Sequence, residues 1–320
     1  MDLIDVPAGL NGVAVAETEI GTVLGDEGFY HYREYDAAEL ARTAGFEDAW
    51  FLLDRGRLPD VAEREAFRAD VAARRHVPVG LASLLPTIAS VGGSPLAGLR
   101  TALSASAGPL GLLPMLDLTA DERRRQALDL VAAVPAVLGA LHRLTDGVEP
   151  VEPDPALGHA ASYLHQVTDR VPEPEHARAL EQYLMLTIDH GFNASTFTGR
   201  AVASTGADIA DVVCAAIGAL AGPLHGVRRA VHSTHSARSA RPNEPLTGSV
   251  ARWPPGAASW GSGTVYRAPD PRSALLRRSP VDWVANWSSG RWRSRPRSSR
   301  RWPSSSPIGR CRAMSSSTRA

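Results

Sequence analysis

Apolar positions along the first 220 or so residues change their period once. Val13, Val15, Ile20 and Val23 alternate roughly with polar residues, the two-residue period of a half-buried strand. Gly25-Asp26-Glu27-Gly28 supplies turn chemistry before Phe29-Tyr30-His31-Tyr32, which predicts a β-hairpin. Beyond Asp36 the period is helical. Asp36 can cap a helix whose apolar faces come from Leu40, Phe46, Ala49, Trp50 and Leu53 and which Gly56 to Pro59 stops. Asp60 starts another, with Glu63, Glu65 and Arg68 outside. Further helices are predicted over about 79–92, 94–106, 120–146, 156–170, 174–190, 195–204 and 207–220.

The 120–146 helix is the longest. Thr119 or Asp121 caps it, and Ala127, Leu128, Leu130, Val131, Val134, Val137, Leu138 and Leu141 form a broad apolar stripe. Pro-rich joints at 149–155 and 171–174 separate the elements. The fold class expected is therefore mainly α. A helical domain over 1–222 carries a small β-hairpin at its N-terminal end.

Composition adds exclusions. No apolar run reads as long enough to span a bilayer, and Met-Asp-Leu-Ile-Asp lacks the basic start of a signal peptide. Cys214 and Cys311 cannot make a disulfide framework or a zinc cluster. A cytoplasmic protein with no membrane partner is the expectation. There is no phosphate loop, metal-ligand spacing or nucleophile elbow, so neither a metal nor a bound cofactor is expected.

The formal net charge of zero hides two halves of opposite sign. Residues 1–230 carry 18 Arg against 31 acids, whereas 231–320 carry 16 Arg against Glu244, Asp270 and Asp282 only. Six of the seven tryptophans also lie beyond residue 250, and there is no lysine anywhere. The C-terminal third does not continue the composition of the helical part.

Two histidines stand out by context. His190 follows Tyr183, Leu184, Leu186, Thr187 and Ile188 and precedes Gly191-Phe192-Asn193-Ala194-Ser195-Thr196. A break at Gly191 leaves its imidazole at a helix C-terminus, where protonation is favoured and an anion can be held, and Asn193 or Ser195 can cap the next helix. His225 sits in Ala221-Gly222-Pro223-Leu224-His225-Gly226, after a helix apolar almost all round. If a helix starts after that turn, its amides favour a neutral imidazole, suited to hydrogen-bonding an enolate oxygen. His142, His159, His165 and His176 read as helix-surface or packing residues.

Taken together, Asp189-His190-Gly-Phe-Asn193-Ala-Ser195-Thr196-Phe197, Ala201 to Thr205, Ala215 to Leu220 and Gly222-Pro223-Leu224-His225-Gly226 closely resemble the citrate synthase family, in order. Gly9-Leu10-Asn11-Gly12-Val13, Glu17-Thr18, Tyr32-Arg33-Glu34-Tyr35, Phe46 to Ala49 and Gly56-Arg57-Leu58-Pro59 look like that family's opening. The resemblance implies a mostly helical fold with a large and a small domain, an active site in the cleft between them, and a homodimer. It implies condensation of acetyl-CoA with oxaloacetate to citrate and CoA, with no cofactor besides the acyl-CoA substrate. An aspartate would remove a methyl proton, and His225 would stabilise the enol. A second histidine would act on the oxaloacetate carbonyl, while His190 and several arginines hold carboxylates. 2-Methylcitrate synthase, using propionyl-CoA, is the close alternative.

After Arg228 the resemblance lapses, then returns over Gly261-Ser262-Gly263-Thr264-Val265-Tyr266-Arg267 and Ala268-Pro269-Asp270-Pro271-Arg272 to Arg278. Thr264 stands where the family's second histidine belongs, and Arg272 matches a substrate-carboxylate arginine. No counterpart of the catalytic aspartate can be identified. Residues 223–278 thus read as the remnant of a small catalytic domain, and 279–320 as an aberrant Arg-, Ser- and Trp-rich tail expected to be disordered. An island of fit between misfit stretches is what reading-frame shifts produce, an explanation that resequencing the gene tests. In a rival reading the interleaved Arg and Trp of 291–302 bind RNA or another polyanion; nucleic acid is the less favoured partner, because a truncated enzyme core gives such a tail no context. A catalytically impaired chain is the expectation.

Overall fold

The computed structural model describes residues 13–24, 27, 29–222 and 225. The segments read as a small-domain remnant and an Arg-rich tail, except His225, lie outside the described residues, and with them Thr264 and Arg272.

The N-terminal part forms three antiparallel strands, β1 (Gly21–Leu24), β2 (Phe29–Tyr32) and β3 (Tyr35–Asp36), in that spatial order. Val23 pairs with Tyr30, and Tyr32 with Tyr35. The hairpin expected from the sequence is present, and a third short strand extends it. Val13 and Val15 precede β1 and are exposed. Alternation along β2 turns Tyr30 and Tyr32 inward, each 1% exposed.

Eleven α-helices follow among the described residues. α1 (Ala37–Thr43) is capped by Asp36, whose carboxylate accepts the Glu39 N–H at 2.6 Å. α2 (Phe46–Arg55) is separate, where the apolar spacing predicts one continuous helix. The cause of the break is tertiary. Arg178 donates to the carbonyls of Ala41, Arg42 and Ala44 at the end of α1, and the Glu181 carboxylate accepts the Phe46 N–H at 3.0 Å at the start of α2. A partner helix thus supplies what continuation would have supplied. α3 (Val61–Arg74) starts at Asp60, whose carboxylate accepts the Glu63 N–H at 2.9 Å.

The stretch predicted as one helix over 79–92 is α4 (Val79–Ala82) and α5 (Leu85–Val91), because Pro86 has no N–H to continue the ladder. α6 (Pro95–Ala105) and a 3₁₀ turn at Met115–Asp117 lead to α7 (Ala120–Thr145). Thr119 is the α7 cap: its Oγ1 accepts the Glu122 N–H, and the Glu122 carboxylate accepts the Thr119 N–H at 2.9 Å. α8 (His159–Thr168), α9 (Pro174–Thr187), α10 (Ala194–Ala203) and α11 (Ile209–Leu220) complete the order.

Two large apolar cores, besides a small cluster around Ala160 and Leu180, hold this scaffold among the described residues. One gathers Leu81, Leu85, Leu99, Leu103, Leu130, Val137 and Ile217 from α4 to α7 and α11. The other packs Tyr30 and Tyr32 of the sheet against Leu40, Ala49 and Leu52 of α1 and α2 and Met185 and Leu186 of α9. α7 packs against α3, α5, α6, α8 and α11. By length and composition it could cross a membrane, which corrects the expectation that no run is long enough; half of its apolar stretch is buried inside the fold.

A polar cluster lies where α2, α3 and α8 meet. Arg75 is 2% exposed, donates to the Leu157 carbonyl at 2.9 Å and lies 3.7 Å from the Glu47 carboxylate. Glu47 in turn accepts the His159 N–H at 2.9 Å, placing an anion at the N-terminus of α8. The His159 ring stacks on Phe46 with centroids 4.6 Å apart and meets Trp50 edge-on.

Candidate active site

The site is assembled by α9, α10, α11 and the sheet. α9 ends at Thr187, three residues short of His190, so the imidazole sits beyond the helix and not on its last turn as the spacing suggests. The chain then turns at Gly191, whose φ of +69° is the left-handed conformation that glycine adopts without penalty. The Asp189 carboxylate accepts the Gly191 N–H at 3.2 Å, closing the turn around His190. Burial raises the pKa of Asp189, while the Gly191 and His190 N–H groups pull it back.

Asn193 is the α10 cap, its side-chain oxygen accepting the Thr196 N–H at 3.0 Å. Ser195 is therefore released for another task. The short link 204–208 returns the chain so that α11 packs along α10, with Gly199 allowing close approach to Val212 and Ala216. The start of α10 consequently lies beside the end of α11. There the His225 N–H donates to the Gly222 carbonyl at 3.0 Å, and Ser195 Oγ is 3.0 Å from His225 Nε2. This hydrogen bond fixes one imidazole nitrogen and leaves the ring's other role to Nδ1.

The sheet closes the other side. Tyr30 Oη donates to the Leu186 carbonyl at 3.1 Å, and Tyr32 Oη lies 2.6 Å from the Met185 carbonyl and 3.3 Å from that of Asp189. The Tyr30 and His190 rings meet edge-on at 6.2 Å. Gly21 of β1 passes so close that a Cβ there would collide with the His31 carbonyl oxygen and touch the Asp189 carboxylate. Arg200 stacks over Phe192 at 5.1 Å and donates to the Glu17 carbonyl at 3.1 Å.

Of the residues singled out from the sequence, His190 and His225 are thus placed at one end of the α10–α11 pair, linked through the Asn193–Ser195 segment. Thr264 and Arg272 lie outside the described residues. No cluster of three or more His, Cys, Asp or Glu side chains capable of holding a metal ion occurs among the described residues. Sequence reasoning missed Ser195 as the partner of His225, and Tyr30 and Tyr32 altogether. Ser195 read as a capping candidate, and nothing local links two side chains thirty residues apart.

Comparison with known proteins bears on the family and the fold. The family described as citrate synthase, C-terminal domain, matches residues 9–286, past the island at 261–278. The citrate synthase of Haloferax volcanii is 37% identical over 223 residues, 69% of this chain and 59% of that protein. The 2-methylcitrate synthase of Mycobacterium tuberculosis is 38% identical over 222 residues, 69% of this chain and 55% of that protein. The chain thus spans less than two thirds of the length of these two relatives. The crystal structure of citrate synthase from Pyrobaculum aerophilum superposes with a TM-score of 0.71 at 29% identity, covering 90% of this chain and 77% of that one. With the family match running through most of its length and its helical fold shared with a solved citrate synthase, the chain belongs to the citrate synthase family.

Proposed function

We propose that the chain is a citrate synthase-type acyltransferase, built to condense acetyl-CoA with oxaloacetate to citrate and CoA, and slowed by the loss of part of its catalytic set. The observation that carries the reading is the 3.0 Å bond between Ser195 and His225, which ties a histidine after α11 to the segment that follows His190. In the mechanism inferred here, His225 is the catalytic residue at the acyl-CoA. Ser195 holds Nε2, and Nδ1–H faces the thioester oxygen, where negative charge grows as the enol forms. His190 takes a carboxylate of oxaloacetate, and Arg272 takes another as a bidentate donor. The partners are oxaloacetate, an acyl-CoA and a second copy of the chain, and the compartment is the cytoplasm. No metal or further cofactor enters the scheme.

Thr264 limits the chemistry. A threonine hydroxyl cannot supply the proton that a histidine supplies to the oxaloacetate carbonyl, and such a group contributes roughly 10²–10⁴-fold. Release of the CoA thiol with acetyl-CoA and oxaloacetate is therefore expected to be at least ~10²-fold slower than in a complete relative. Turnover at a complete enzyme's rate contradicts this. The kinship with 2-methylcitrate synthase favours propionyl-CoA as a second donor. One methylene is worth ~1–3 kcal/mol in a pocket, so the ratio of release from the two donors decides between them.

A further inference from the structure

We propose that Tyr32, assisted by Tyr30, is a positioning residue for His190: the N-terminal sheet sets the angle at which that imidazole is presented. This rests on the reading of His190 as an oxaloacetate ligand.

The argument starts from what a helix end needs. The last four carbonyls of α9 have no partner within the helix. Ile188 follows in a right-handed conformation, and the left-handed glycine comes only at Gly191. The end is therefore not closed by a glycine directly after the helix. Thr187 Oγ1 donates to the Tyr183 carbonyl at 2.8 Å and lies 3.4 Å from that of Leu184. The Met185 and Leu186 carbonyls belong to residues with no solvent exposure, and the hydroxyls that reach them come from β2, more than 150 residues away in sequence. A buried carbonyl left unpaired is costly, so these two bonds fix where α9 stops.

The same strands continue past the helix end onto the turn. Tyr32 Oη, nearest to Met185, is also within reach of the Asp189 carbonyl, one residue before His190. The Tyr30 ring bears on His190 itself, and Tyr30 and Tyr32 hold each other edge-on at 5.7 Å. From β1, Gly21 approaches the Asp189 carboxylate and Val23 approaches Gly191. Asp189, His190 and Gly191 each meet the sheet. A role limited to terminating α9 requires only the bonds to Met185 and Leu186; the contacts to the three turn residues make sheet position and imidazole orientation one variable.

The test uses the full chain with Tyr32→Phe, which keeps the ring and removes the hydroxyl, and with Val71→Ala as a destabilised control in the buried face of α3. Two quantities are read: the His190 side-chain resonance, assigned by its loss in His190→Gln, and oxaloacetate affinity by calorimetry. Tyr32→Phe is expected to move the resonance and weaken oxaloacetate about tenfold, ~1.4 kcal/mol. Val71→Ala should lower the melting temperature without changing either. An unmoved resonance with unchanged affinity in Tyr32→Phe overturns the proposal, as do equal changes in Val71→Ala. Should Tyr32→Phe not fold, Tyr30→Phe carries the same comparison through the Leu186 bond. If the unaltered chain binds no oxaloacetate, the proposed function fails, and the resonance alone then decides whether the sheet positions His190.

Discussion

Lowering the pH from 7.5 to 5.0 should destabilise this fold through one buried imidazole. His159 is 8% exposed, stacked on Phe46 and edge-on to Trp50, with the Arg75 guanidinium nearby. Burial first, and then the positive charge of Arg75, lower its pKa to about 3. In the unfolded chain the same group titrates near ~6.5. A pKa depressed by folding means that the unfolded chain takes up a proton first. The contribution of His159 is therefore complete above pH ~6.5 and is lost as the pH falls below it, at ~1.36 kcal/mol per unit. Between pH 6.5 and 5.0 the loss is ~2 kcal/mol, or roughly 4–8 °C in melting temperature for a chain of this size. Asp189 works the other way, because its raised pKa favours the folded state as the pH falls. Comparing the chain with His159→Leu separates the two. Leucine keeps an apolar side chain between Phe46 and Trp50 and leaves the backbone N–H on Glu47, while removing the titrating group. Denaturant midpoints at the two pH values should show a pH-dependent loss smaller by ~2 kcal/mol in the variant. Identical pH dependence in the two proteins would refute the assignment of this loss to His159.

Other substitutions probe the scaffold. Glu47→Ala leaves the Arg75 charge, among the described residues, with the Leu157 carbonyl alone and should cost ~3–5 kcal/mol in urea unfolding, as breaking buried pairs does; a loss below ~1 kcal/mol would mean that water reaches the guanidinium. Gly21→Ala forces β1 off the His31 carbonyl and should cost ~1–3 kcal/mol, whereas a neutral outcome contradicts the close approach. Thr119→Ala removes the α7 capping box and should lower stability by ~1 kcal/mol, an effect absent if Asp121 serves as the cap instead.

Much of the scaffold was legible because its signals are local. Asp36, Asp60 and Thr119 cap the helices that follow them because a short polar side chain reaches the N–H three residues on, whatever surrounds it. The helix breaks were less legible. That between α1 and α2 depends on Arg178 and Glu181, which lie more than 130 residues away and leave no trace in local periodicity. Pro86 did carry a local signal for the break before α5, but apolar spacing masked it. The site divides in the same way. His190 and His225 were readable from their flanking motifs, because turn glycines and caps must stand next to them. The Ser195 bond to His225 and the tyrosine contacts to Met185, Leu186 and Asp189 exist only once α11 returns along α10 and the sheet folds onto α9.

The claim that the His190 turn is an oxaloacetate site is tested most directly by calorimetric titration of oxaloacetate into the full chain and into His190→Gln. Saturable binding by the chain, weakened at least ~tenfold in the variant, a difference of ~1.4 kcal/mol, is the predicted result. Absence of binding by the unaltered chain, or equal affinity in a folded His190→Gln, contradicts it.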